Sequence, residues 1–117
     1  MLLAGDAAHV TNPAGGLGLT GGLFDTFVLH EALAAVLAGE APESVLDDYA
    51  RERRRVFLEM VNPAATAIKR MIFHSDDPER LARDMAALRV LETDQEALVA
   101  RLMSTKAMET PSLIGAR

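Results

Sequence analysis

The first twenty-five residues constrain this chain more than all that follows. Leu2-Leu3-Ala4 is an apolar run that halts at Gly5-Asp6, and Ala7-Ala8-His9 and Pro13 come next. Five of the chain's eight glycines then fall between Pro13 and Asp25, at Gly15, Gly16, Gly18, Gly21 and Gly22. An apolar run that stops at Gly-Asp predicts a buried strand delivering a carboxylate to its carboxyl end, where open α/β sheets receive nucleotides. Glycine at this density predicts a loop whose backbone a ligand approaches closely. Because Gly15, Gly16 and Gly18 lead straight into a helix, the unpaired amides of its first turn form an anion site. The absence of Gly-Lys-Ser or Gly-Lys-Thr argues against a triphosphate loop.

Downstream, the pattern is helical. Leu17 to about Ala38 has apolar residues on more than one face, which predicts a largely buried helix ended by Gly39. Pro42-Glu43-Ser44 opens an amphipathic helix with Val45, Leu46, Tyr49, Val56, Phe57 and Met60 inward and Arg51, Glu52, Arg54 and Arg55 outward. Asn62-Pro63 predicts an interruption, either a kink or a restart, because proline lacks a donor and disfavours helical geometry in the residue before it. A short helix continues from Ala64 to about His74. Asp77 as N-cap and Pro78 at the first position start a further helix to about Arg89. Thr93-Asp94-Gln95-Glu96 resembles a capping box for a last helix through about Met103, and Glu109 to Arg117 is expected to fray. The methionines at 60, 71, 85, 103 and 108 read as core and interface filler.

At 117 residues with 50% hydrophobic content, the chain suits a single small unit. A lone strand with no partner strand encoded elsewhere, however, predicts that part of the structure is supplied by another segment or chain. The net charge of −5 and scattered basic residues disfavour nucleic acid. The chain has no cysteine, which excludes disulfides and thiolate metal sites and fits a cytoplasmic setting. No apolar run is read as approaching a membrane span, and Leu2 to Ala4 lacks the basic flank of a signal peptide.

Several residues carry alternative readings. Asp6 either accepts hydrogen bonds from two vicinal hydroxyls or caps a turn. Pro13 either stiffens the wall of a ligand site or is an ordinary turn proline. His9 reads as a hydrogen-bonding support rather than a proton carrier. Asp6, His9, His30 and His74 lack the spacing of a metal set, so no metal is expected. Asp25 lies about two turns into the first helix and is expected to pair with Arg53 or Arg54 on the neighbouring one.

Gly5-Asp6-Ala7-Ala8-His9, Pro13, Gly15-Gly16-Leu17-Gly18-Leu19-Thr20-Gly21 and Asp25, in that order and spacing, resemble the second flavin-binding motif of the class A FAD-dependent monooxygenases, the aromatic-ring hydroxylases related to p-hydroxybenzoate hydroxylase. Many members have Asn where this chain has Thr20. The likeness covers the first third of the chain closely and includes no Gly-x-Gly-x-x-Gly segment. It implies a mainly α structure with a short N-terminal strand, a Gly-rich loop and about four helices, a carboxyl-terminal piece of an α/β FAD-binding fold of the glutathione-reductase type. Residues 1–38 would be the end of the FAD-binding domain and 39–117 its helical carboxyl-terminal region. The resemblance further implies FAD as cofactor, held by Gly5, Asp6, Pro13, Gly15, Gly16, Leu17, Gly18, Leu19 and Thr20, with Asp6 toward the ribityl or ribose portion and the helix end toward the isoalloxazine. In a whole enzyme, NADPH or NADH would reduce the flavin and oxygen would hydroxylate a small phenol-like substrate. It identifies no catalytic residue in this chain. An amino-terminal half or a second copy is the expected partner, and a helical interaction or dimerisation module derived from such an enzyme is the alternative.

Overall fold

The computed structural model describes residues 1–73 and 76–115. Five helices follow two short 3-10 turns: α1 (Leu17–Leu37), α2 (Ser44–Val56), α3 (Asn62–Phe73), α4 (Pro78–Thr93) and α5 (Gln95–Met103). The turns are Gly5–Ala7 and Pro13–Gly15, and a third, Lys106–Met108, follows α5. The mainly α expectation holds.

The N-terminal strand is not among the described elements. Ala4 has extended backbone, with φ −142° and ψ 154°, but Gly5–Ala7 immediately coils into a 3-10 turn. A strand is completed by hydrogen bonds to a neighbouring strand, and no described residue provides one. The segment is fastened instead by the Tyr49 hydroxyl, which donates to the Leu3 carbonyl at 2.7 Å. Burial raises the Tyr49 pKa to about 12, and the nearby Asp25 carboxylate adds to the effect.

α1 ends where glycine permits: Gly39 has φ +74°, and its amide returns to the Val36 carbonyl. The helix is less buried than its composition implies. Gly21, Asp25, Val28, Ala32 and Ala35 form one inward stripe, while Leu19, Phe27 and Leu37 are 70–79% exposed. The reason is one-sided packing, because the Gly5–Ala7 turn, α2 and the segment after α2 supply its main contacts. By length and composition α1 is apolar enough to cross a membrane, contrary to the reading from local runs. Its one buried carboxylate, Asp25, is paired to Arg53.

Pro63 does not break the second helical segment. Val56 leads into a π-helical turn, Phe57–Val61, and α3 continues from Asn62. Within that turn the Asn62 amide reaches back five residues to the Phe57 carbonyl. The wider spacing relieves the clash that a proline ring makes with the carbonyl four residues earlier, so helical backbone continues through the proline without a restart. Val61 is thereby buried with Val56 and Met108, against Leu17, Phe24 and Met60.

On the outer face of α2, Arg51 pairs with Asp48, and Arg55 with Glu52 and Glu59. The hydrogen bond from Arg55 holds the Glu52 carboxyl below its usual pKa. Asp77 caps α4 as expected, accepting from the amides of Glu79 and Arg80. The cap of α5 is Asp94, which accepts from Ala97, whereas Thr93 closes α4 by donating to Val90. α4 outlasts its expected end at Arg89 by a turn and has no fully buried residue, and Met85 and Met103 are exposed rather than core. Within Glu109 to Arg117, the segment expected to fray, Thr110 is held by Arg53 and the Ser112 hydroxyl donates to Glu31, while residues 116 and 117 lie outside the described residues. His74, one of the residues considered for a metal, lies outside the described residues.

Candidate functional site

The glycine-rich loop folds as two tight pieces. Pro13–Gly15 makes a 3-10 turn capped by the Asn12 side chain, which accepts from the Ala14 amide at 3.2 Å. Gly16 then turns left-handed, with φ +63°, and hands the chain to Leu17 at the start of α1. Only glycine adopts this conformation without strain, and a Cβ on Gly16 would meet nothing within 4 Å. No side chain caps α1. The first-turn amides of Leu17, Gly18 and Leu19 therefore have no acceptor within the helix. Gly15 is pressed against α3, where an added Cβ would lie 3.2 Å from the Ala65 Cα.

Asp6 and the loop occupy different levels of α1. Gly5 lies against Gly22, where an added Cβ would sit 3.1 Å from the Gly5 Cα. Gly22 is six residues beyond Gly16, about 9 Å along the helix axis. The Asp6 side chain is exposed. Pro13 and Leu19 are also exposed, Thr20 and Gly18 are half-buried, and Leu17 packs on the Val56, Val61 and Met108 cluster. Thus the structure gathers Pro13 through Thr20 at one end of α1 and sets Gly5-Asp6 alongside the helix.

A buried polar node holds Gly5-Asp6 there. Asp25, fully buried, accepts from the Gly5 amide at 2.9 Å and from His9 Nε2 at 2.7 Å on Oδ2. Its Oδ1 accepts from Arg53 Nε at 2.7 Å. The expected partnership of Asp25 with Arg53 is present, and Arg54 is exposed. His9 does serve as a hydrogen-bonding support, but its partner is Asp25 rather than Asp6. Its ring stacks on Phe57, with centroids 4.3 Å apart and planes inclined by 22°.

Sequence reasoning did not find the grip of Asp25 on Gly5, the Phe57 stack or Thr11. A carboxylate in an apolar helix was the available clue to the first. Thr11 Oγ1 is buried without a hydrogen-bond partner among the described residues, and its methyl faces the place where a Gly18 Cβ would be. The node itself borders a cavity of about 450 Å³, lined by His9, Asp25 and Arg53 together with Leu2, Leu3, Tyr49 and Phe57 among others. No cluster of potential metal ligands occurs among the described residues.

The candidate site thus has two parts, an uncapped α1 start behind left-handed Gly16 and an exposed Asp6 carboxylate further along the helix. Residues 1–64 match the family described as the FAD binding domain, and the chain belongs to that family. Over 98 residues it is 47% identical to a para-nitrophenol 4-monooxygenase from Pseudomonas sp. (strain WBC-3), covering 84% of this chain and 24% of the relative. Over 110 residues it is 40% identical to a 6-hydroxy-3-succinoylpyridine 3-monooxygenase from Pseudomonas putida, covering 94% and 28%. A rifampicin monooxygenase from Streptomyces venezuelae is 38% identical over 102 residues, covering 87% and 21%. The chain spans about a quarter of the length of these curated relatives, and what it shares with them is one portion of a flavin monooxygenase.

Proposed function

We propose that the chain forms part of the FAD site of a flavin-dependent monooxygenase that hydroxylates a small phenol-like substrate with NADPH or NADH and oxygen. The observation that carries this reading is the uncapped start of α1 behind left-handed Gly16, with open space on its Cβ side. Its amides offer donors to an electron-rich edge, and the positive end of the helix dipole favours negative charge there by about 1 kcal/mol or less. The exposed Asp6 carboxylate supplies acceptors for sugar-chain hydroxyls, and the unpartnered Thr11 hydroxyl is a further group at the loop. These groups fit FAD. When bound, FAD supplies the redox and oxygen chemistry, while Gly5, Asp6, Pro13 and the stretch Gly15 to Thr20 bind and orient it. Residues 1–38 furnish those contacts, and residues 39–117 back them through Ala65 and Arg53. The names of the relatives support an aromatic substrate, because para-nitrophenol and the hydroxypyridine are both activated rings.

The test is a titration of the full chain with FAD, followed by the visible flavin spectrum and flavin fluorescence. A saturable but weak perturbation, lost in Asp6→Ala, is the expected result. No perturbation at any FAD concentration would overturn the proposal. A stoichiometric yellow protein from this chain alone would contradict the half-site reading. A second reading, a dimerisation module, draws on the exposed apolar side chains of α4 and α5, including Leu81, Met85, Leu88, Val99 and Leu102. Sedimentation equilibrium that shows only monomer at high concentration would remove it.

A further inference from the structure

Arg53 is where three distant segments of the chain meet. It is 4% exposed, and its Nε donates to Asp25 on α1. Its Nη1 donates to the Met108 carbonyl at 2.9 Å and to Thr110 Oγ1 at 2.8 Å. The other oxygen of Asp25 holds the Gly5 amide. An unbroken relay of hydroxyl, guanidinium, carboxylate and amide therefore connects Thr110 to the Gly5–Asp6 turn.

The relay is stiff for two reasons. A guanidinium is planar and its donors have fixed directions, so Nε cannot follow Asp25 while Nη1 keeps both tail acceptors unless the whole plane moves. Gly5 has φ +57° and rests on the Gly22 backbone with no side chain between them, so the turn has little freedom beyond that left by its Asp25 bond. A shift of the tail is thus passed to the turn rather than absorbed by side-chain rotation.

Building on the flavin half-site reading, we infer that Arg53 and Thr110 are positioning residues for the Gly5–Asp6 turn. They act through Asp25, so the segment Met108–Thr110 governs where the Asp6 carboxylate stands. Neither residue touches the cofactor in this scheme.

The test uses the full chain, labelled with 15N, as wild type, Thr110→Val, Thr110→Ser and Arg53→Lys. Thr110→Val removes one hydroxyl at nearly constant volume and is expected to move the amide resonances of Gly5, Asp6 and His9, leaving those of α4 and α5 in place. Thr110→Ser restores the acceptor and is expected to return them to the wild-type positions. Shifts confined to the tail and Arg53 would overturn the inference, as would equal shifts in the valine and serine variants. In the FAD titration, Thr110→Val is expected to weaken binding by about two- to thirtyfold, the range of typical coupling between linked groups, with serine near wild type. Absence of any flavin perturbation in the wild type would overturn the flavin assignment and leave the amide shifts to decide the coupling by themselves. If Arg53→Lys fails to fold, the Thr110 pair still gives the answer.

Discussion

Asp25→Ala isolates what the buried node contributes to stability. The substitution removes one carboxylate and leaves three donors without their acceptor: the Gly5 amide, His9 Nε2 and Arg53 Nε. Arg53 bears most of the penalty, because it is 4% exposed and keeps only its tail acceptors and a long 3.5 Å approach to the Gly21 carbonyl. Removing one partner of a buried ion pair costs about 3–5 kcal/mol, a large share of the roughly 5–15 kcal/mol by which domains are stable. With a urea slope of about 1.5 kcal/mol per M, the midpoint followed by circular dichroism should fall by about 2–3 M. Asp25→Asn keeps a carbonyl acceptor and is expected to fall in between. The double variant Asp25→Ala with Arg53→Met no longer buries an uncompensated charge, so it should be less destabilised than the two single losses summed. A loss below about 1 kcal/mol for Asp25→Ala, the behaviour of an exposed pair, would refute the reasoning.

Adjacent glycines in α1 should respond with opposite signs. At Gly21 a Cβ would meet the Val61 methyls at an ordinary 3.9 Å, so Gly21→Ala should raise the thermal midpoint through a helix-propensity gain of up to about 1 kcal/mol. At Gly22 the same atom would stand 3.1 Å from the Gly5 Cα, which is backbone, so Gly22→Ala should lower it; the reverse order would discredit the packing described for this turn. Tyr49 is the only tyrosine, so absorbance at 295 nm reads its ionisation directly, with a midpoint expected near pH 12. Its folded pKa lies above the unfolded value of 10.0, so the associated stability is complete below pH 10 and lost as pH rises toward 12; Tyr49→Phe should flatten that decline. Asp77→Ala should cost about 1 kcal/mol and speed amide exchange at Glu79 and Arg80, whose protons its carboxylate accepts.

What could be read from the sequence and what could not divide along physical lines. Helix limits set by local chemistry were legible: Gly39 supplies the left-handed stop of α1, and Asp77 with Pro78 starts α4. A pairing of Asp25 with Arg53 or Arg54 was legible too, since a carboxylate in an apolar helix needs a cation once buried, and the structure selects Arg53. Features that depend on what lies opposite were not. The Leu2 to Ala4 run has strand character but no described strand to pair with, and Pro63 breaks nothing because the Phe57–Val61 π turn accommodates it. The tail looked free because Thr110 has no periodicity, yet it is held by an arginine 57 residues earlier.

The node and the missing burial belong together. The radius of gyration is 17.5 Å, against about 13 Å for a compact domain of this length, and α4 and α5 have no fully buried residue. Apart from Tyr49 and Met108, the buried apolar side chains are short ones such as Ala32, Ala35, Val45, Val56, Val61 and Ala65, and Asp25 is shielded from water as completely as any of them. A core this slight is nondirectional and would tolerate α1 sliding or turning against α2. The hydrogen bonds of Asp25 and Arg53 are directional: those of Asp25 tie α1 to Gly5 and to Arg53, and those of Arg53 hold the tail. Precision in the Gly5–Asp6 turn therefore comes from a polar contact set inside a modest apolar core. It follows that conservative changes around Asp25 should disturb the placement of Asp6 more than larger changes on the outer face of α1.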